Sequence, residues 1–236
     1  MDGGEVTALV CTRCPRLRNL RLCLVLVGDH GVSIRSDSLR SLSFNVARAR
    51  RLEVVTPGLE YLYVGEDIGE ARVSAPKLAG LVWSCHATYD PHRHRFEEDA
   101  GRHRLQLLDI GETSAAGLLM QKFDGVDQLR LGVSIPQWFC PCLLVENRRI
   151  DGIDLSSLEE VEITSYTTSS QKELLEFVEQ LCRCNAPILG KLVFSHTMFS
   201  APSQAKVVFE KIRSMCYPKI EVEFNDFVDG AWIVWR

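Results

Sequence analysis

The chain has 236 residues, 46% of them hydrophobic, with 27 basic and 31 acidic side chains and a net charge of -4. That apolar content is enough to bury a core and argues against disorder, and the dispersed, slightly acidic charge calls for neither nucleic acid nor an anionic membrane as partner. The longest apolar run, Leu22 to Val27, is six residues, where roughly 20 are needed to cross a bilayer.

Met1 to Leu24 begins with acidic residues and lacks a basic start followed by an apolar block, so it does not read as a signal peptide. Nine cysteines, an odd number, fit reduced thiols, several of them small core residues. An intracellular location, cytoplasm or nucleus, follows as the expectation. Val6 to Cys11 can offer a short helix ahead of the first strand, leaving that strand's edge scarcely covered.

An apolar-x-x-apolar-x-apolar template then recurs, at Leu17/Leu20/Leu22, Leu39/Leu42/Phe44, Leu59/Leu62/Val64, Leu78/Leu81/Trp83, Leu105/Leu108/Ile110, Val126/Leu129/Leu131, Leu158/Val161/Ile163 and Leu189/Leu192/Phe194. The starts are 22, 20, 19, 27, 21, 32 and 31 residues apart. A period of about 20 to 29 residues with this spacing is the signature of a leucine-rich repeat, one strand and one return segment per unit. The last two apolar residues are two apart, so on a strand both point into the stack. Val32-Ser33-Ile34, Leu52 to Val55 and Ala71-Arg72-Val73 are short and β-branched, which suits strand-like return legs. Ser36-Asp37-Ser38, Thr56-Pro57-Gly58 and Ala75-Pro76-Lys77 supply a turn just before each following strand. Only Asn45 hints at the side-chain ladder common in such repeats, so a gently curved stack is expected.

Residues 84–104, dense in charge and histidine, read as an exposed insertion loop, and 134–154 as a second irregular stretch whose apolar half, with Trp138, packs on the sheet. After Val161 the pattern changes. Ser169 or Ser170 can cap a helix from about Gln171 to Cys184, stopped by Asn185-Ala186-Pro187. Leu189 to Phe194 is a strand, and Ser200-Ala201-Pro202 opens a second helix to about Met215, with Ala205, Val208, Phe209, Ile212 and Met215 as its apolar stripe. Ile220 to Phe224 alternates as a strand. The expected fold class is α/β: an irregular leucine-rich-repeat solenoid over 1–157 with a curved, mostly parallel sheet. A strand-helix-strand-helix-strand cap over 158–236 continues the same sheet.

Cys14-Pro15-Arg16-Leu17-Arg18-Asn19-Leu20-Arg21-Leu22, Ser38-Leu39-Arg40-Ser41-Leu42, Ala75-Pro76-Lys77-Leu78-Ala79-Gly80-Leu81-Val82-Trp83 and His92-Arg93-His94-Arg95-Phe96 together resemble the repeat region of plant F-box proteins. Leu158 to Ile163 with the two helices looks like the FBD-type C-terminal region of that family. The resemblance covers roughly residues 11 to 224. It implies the substrate-recognition subunit of an SCF-type E3 ubiquitin ligase. The family's F-box is a helical module ahead of the repeats, and no residue of it is carried over here. A Skp-type adaptor and a cullin are therefore partners only of a longer form that carries an F-box.

Chemistry-bearing patterns are few. Cys11-x-x-Cys14 is half a zinc site without a second ligand pair at matching spacing. His86, His92, His94 and His103 lie among Asp90, Glu97, Glu98 and Asp99, and read as a solvated loop rather than a metal site. Neither a Gly-x-Ser-x-Gly elbow nor a phosphate-binding glycine loop occurs. No enzyme activity, metal or cofactor is expected. The remaining candidate is the concave face, made by Asn19, Arg21, Ser41, Ser43, Tyr61, Tyr63, Leu107, Asp109, Gln128, Arg130, Glu160 and Glu162, basic at its start and acidic at its end. Arg21, Tyr61, Tyr63, Asp109, Arg130, Glu160 and Glu162 are the candidate partner-binding residues, tyrosine and arginine being enriched in binding hot spots. The expected function is binding of a target protein. A stand-alone scaffold or decoy is the alternative, and a small-molecule sensor with a pocket beside Tyr61 and Trp138 a further one.

Overall fold

The second and third apolar positions of all eight template copies fall on strands in the computed structural model of the protein. The structure describes residues 2–27, 31–84, 89–97, 105–111, 116–123, 125–133, 156–165, 175, 178–179, 186–196, 202–216, 218–228 and 231–235. The fold is α/β with mostly parallel sheets and few helices. It divides into two compact units, Met1–Leu119 and Met120–Arg236.

In the first unit the chain alternates between two sheets. β1 (Asn19–Val25), β3 (Ser41–Ala47), β5 (Tyr61–Val64), β7 (Gly80–Trp83) and β9 (Leu107–Ile110) are successive neighbours in the main sheet. β2 (Gly31–Arg35), β4 (Arg51–Val55), β6 (Glu70–Ser74) and β8 (His94–Phe96) form the second. Each of these pairings is parallel. The template sets the register: Leu20, Leu42, Leu62, Leu81 and Leu108 form one row across the main sheet, and Leu22, Phe44, Val64, Trp83 and Ile110 the next. Leu42, Leu62, Leu81 and Leu108 are fully buried, and burial of each such side chain is worth about 1.5–3 kcal/mol.

A repeated hydrogen bond fixes the foot of each strand. The Arg18 carbonyl accepts from the N–H groups of both Arg40 and Ser41, that of Arg40 from Glu60 and Tyr61, that of Glu60 from Ala79 and Gly80, and that of Ala79 from Gln106 and Leu107. Before β1, β5 and β7 the chain makes a proline turn. The Leu17, Leu59 and Leu78 N–H groups donate to the carbonyls of Cys14, Thr56 and Ala75 at 3.1, 3.0 and 3.1 Å, with Pro15, Pro57 and Pro76 at the turn position whose φ proline presets.

The return legs are true strands. Val32, Leu52, Ala71 and His94 form one inward row of the second sheet, and Ile34, Val54, Val73 and Phe96 the other. Trp83 of the main sheet meets His94, Tyr89 and Phe96 at ring-centroid distances of 5.2, 5.4 and 6.4 Å. Residues 94–96 are thus not exposed loop, as expected of 84–104, but a fourth strand of the second sheet. His94 can take an aliphatic position because both ring nitrogens are satisfied: Nδ1 accepts from the Asp90 N–H and Nε2 lies 2.9 Å from the Ile68 carbonyl. Of that expected loop, 85–88 and 98–104 lie outside the described residues, as does 134–155 with Trp138.

The expected N-terminal helix starts earlier than Val6. α1 (Gly3–Ala8) opens on an Asp2/Glu5 capping box and runs into a π-helical turn over Leu9–Arg13. Together they dress the edge of β2: the Ser33 N–H donates to Thr7 Oγ1 at 3.0 Å, and the Arg35 N–H to Cys11 Sγ at 3.3 Å. After β9 comes a short helix, α2 (Ala116–Lys122).

In the second unit β10 (Gln128–Val133), β11 (Glu160–Ser165), β12 (Lys191–His196) and β13 (Glu221–Val228) are parallel neighbours. The shared carbonyl recurs, at Asp127 with Glu159 and Glu160 and at Glu159 with Gly190 and Lys191. α3 (Pro202–Cys216) joins β12 to β13, burying Val208, Phe209, Ile212 and Cys216, and Phe209 meets Phe224 edge to face at 6.4 Å. The stripe therefore ends on Cys216, four residues after Ile212, and Met215 is 36% exposed. Of the helix expected over 171–184 only Leu175, Val178 and Glu179 are described; they are helical, with Val178 buried and Glu179 exposed. A last strand absent from the sequence reading, β14 (Ala231–Trp235), pairs antiparallel with β13.

Candidate partner-binding face

Alternation along each strand puts every second residue on the outside of the main sheet, and the parallel register aligns them. In the first unit Asn19, Ser41, Tyr61, Gly80 and Leu107 make one outer row, and Arg21, Ser43, Tyr63, Val82 and Asp109 the other. Arg21 and Asp109 thus close the two ends of a single row. At the strand spacing of a sheet they stand about 19 Å apart.

The two tyrosines are laid over glycines. A Cβ on Gly80 would come 2.8 Å from Tyr61 Cδ2, and one on Gly65 would come 2.7 Å from Tyr63 Cε1 and 2.8 Å from Asn45 Oδ1. The rings rest on backbone that carries no side chain, and both tyrosines stay half-buried with a flank turned outward. Asn45 does not build a backbone ladder; its Nδ2 approaches Cys23 Sγ at 3.8 Å on the same outer face.

In the second unit Gln128, Glu160, Lys191 and Glu221 form one outer row and Arg130, Glu162, Val193 and Glu223 the other. Arg130 Nε reaches Glu162 Oε2 at 2.7 Å, and Lys191 Nζ lies 3.4 Å from Glu160 Oε1 and 4.0 Å from Glu223 Oε2. Ser195 Oγ donates to Glu162 Oε1 at 3.4 Å. The expected site residues Arg130, Glu160 and Glu162 are therefore members of an ion-pair lattice, and Lys191, Ser195 and Glu223 are members that sequence reading missed. Lys191 breaks the expected acidic grading. Its place could have been found by continuing the register 31 residues on from Glu160.

The opposite side of the first unit carries different chemistry. On the second sheet Ser33, Glu53, Arg72 and Arg95 align. The Ser33 hydroxyl donates to Glu53 Oε2 at 2.8 Å and Arg35 Nη2 pairs with Oε1 at 2.9 Å, which holds the Glu53 carboxyl below its usual value. A cavity of about 520 Å³ sits at the carboxyl ends of β2, β4 and β6, lined by Arg35, Val55, Ser74, Pro57, Pro76 and Cys11 among others.

Among the described residues no group of three His, Cys, Asp or Glu side chains is placed to hold a metal ion, and no helix is long and apolar enough to cross a membrane. Both nitrogens of His94 are already engaged inside the fold, and Cys11 is bonded to β2. In comparisons with known proteins, no family model, no curated protein and no solved structure matches this chain.

Proposed function

We propose that the chain is a protein-binding leucine-rich-repeat module, a solenoid of the kind that forms the substrate-recognition part of an SCF-type E3 ubiquitin ligase subunit. The observation that carries the binding part is the single outer row Arg21, Ser43, Tyr63, Val82, Asp109. It runs from exposed Arg21 through half-buried Tyr63 and buried Val82 to the Asp109 carboxylate, with Tyr61 beside it. An extended target segment of about six residues spans that length, and tyrosine flanked by charge supplies both apolar contact and polarity. The ligase part rests on the resemblance of the repeat strings to F-box proteins. Its Skp-type adaptor and cullin would join through an F-box of a longer form.

The test is affinity purification with quantitative mass spectrometry, comparing the wild type with Tyr61→Ala/Tyr63→Ala. A target protein retained by the wild type and depleted at least tenfold by the double variant supports binding through this face. An unchanged capture profile removes it. Adaptor and cullin subunits recovered with the native protein support the ligase role, and their consistent absence beside a captured target leaves a scaffold or decoy.

A further inference from the structure

The two sheets of the first unit begin in different ways. The edge of β2 is covered, with Ser33 and Arg35 bonded to Thr7 and Cys11. Among the described residues β1, by contrast, is the terminal strand of its sheet. Its inward residues Leu20 and Leu24 are half-exposed, where the matching Leu42 and Val46 of β3 are fully buried. On the outer face at the end of the strand, Val25 and Val27 are 53% and 66% exposed. β1 carries no proline, and its one charged residue, Arg21, points outward, so within the strand neither proline nor an inward charge discourages edge pairing.

We propose that β1 pairs antiparallel with β1 of a second copy of this chain, across a two-fold axis at Leu22, making a symmetric dimer. The strand runs from Asn19 to Val25, so Leu22 is its midpoint and this register alone engages all of it. Opposed residues in an antiparallel pair share a face, and the register sets the inward leucines against one another. Leu20 meets Leu24 and Leu22 meets itself. On the outer face Arg21 meets Cys23, Asn19 meets Val25 and, beyond the strand ends, Val27 comes opposite Leu17. Moving the axis to Arg21 would set two guanidinium groups against each other, which is unfavourable; moving it to Cys23 leaves part of the strand unpaired. An odd shift would turn the leucines outward. The contact is isologous, so it closes at two copies and adds no further edge on this side. It stands independently of what the outer face binds.

The experiment is sedimentation equilibrium on the full chain, coupled to thiol cross-linking with copper–phenanthroline as oxidant. The expected mass is twice 26.6 kDa, falling toward the single-chain value in Val25→Lys and Val27→Lys, whose positions are exposed and do not support the fold of one copy. Arg21→Cys should cross-link efficiently, because directly opposed Cα atoms stand about 4.5–5.5 Å apart, inside the disulfide range. The bond should vanish when Cys23→Ser is added, and Asn19→Cys should not cross-link. A single-chain mass at every concentration overturns the proposal. So does a wild-type cross-link through Cys23 itself, which requires a different axis, or a dimer that Val25→Lys and Val27→Lys leave intact.

Discussion

The ring of Tyr61 lies over Gly80 of the neighbouring strand, so closely that a single methyl carbon on Gly80 would meet it at 2.8 Å. The glycine is what lets the ring lie down. Gly80→Ala should gain about 0.4–1 kcal/mol from reduced freedom of the unfolded chain and lose a similar amount by lifting the ring. The expected result is stability within about 1 kcal/mol of wild type but altered Tyr61 ring resonances in NMR, with target capture reduced as in Tyr61→Ala. Unshifted Tyr61 resonances would contradict this placement.

His94 joins the two sheets of the first unit through its ring contact with Trp83, and its two hydrogen bonds tie it to the loops at Asp90 and Ile68. His94→Ala removes the packing and strands the Asp90 N–H and the Ile68 carbonyl. Urea denaturation should show a loss of about 2–5 kcal/mol. His94→Phe, which keeps a ring against Trp83 but cannot bond, should fall between. Equal losses for the two variants would mean that only the hydrogen bonds matter.

Thr56 is fully buried, and its Oγ1 has no hydrogen-bond partner among the described residues. An isosteric Thr56→Val change keeps the shape and removes a desolvated hydroxyl, so the variant should be more stable by about 1 kcal/mol. The backbone bonds of Thr56 to Ser74 and Leu59 are untouched. A loss of stability in thermal melts would show that the hydroxyl is engaged after all.

Glu53 is held below its ordinary value of 4.5, first by the Ser33 hydroxyl and then by Arg35. A carboxylate so depressed stabilises the fold above the ordinary glutamate range, and that contribution disappears as pH falls through its folded value. Its side chain is 37% exposed, so the effect is screened and modest. Wild type should exceed Glu53→Gln in stability at neutral pH, and the two curves should converge on acidification below 4.5. Parallel curves across that range would exclude the linkage.

The Arg130–Glu162 pair is close, at 2.7 Å, yet 49% and 28% exposed. A double-mutant cycle with Arg130→Ala and Glu162→Ala should give a coupling below about 1 kcal/mol that shrinks with added salt. A larger, salt-insensitive coupling would mean that the lattice is shielded from solvent.

Much of the strand plan was legible because its two governing periods are local. The apolar residues two apart on each strand, and the turn three residues ahead, can be read without knowing what they pack against. β8 was harder: Arg93 and Arg95 flank His94 and hide an inward pair only two residues long. β14 lies outside the repeating template, its local signal being Asp229-Gly230 ahead of an apolar run, a common hairpin pattern. The site was half legible. That Tyr61 and Tyr63 face outward follows from alternation, but their posture depends on Gly80 and Gly65, and Gly80 belongs to the neighbouring strand. Lys191 went unread because the last intervals stretch to 32 and 31 residues, which blurs the alignment of outer rows.

One consequence lies in the carbonyl shared at the foot of each strand. Because Arg18, Arg40, Glu60, Ala79, Asp127 and Glu159 each anchor the next strand at its first residues, the alignment of neighbours is decided before the strand proper begins. What the chain does on its way round does not enter. Intervals of 19 residues and of 32 residues therefore deliver strands with equal accuracy, and the excursions between them can lengthen, shorten or be exchanged over evolutionary time without shifting the rest of the array. Such a scaffold can be re-tailored one loop at a time.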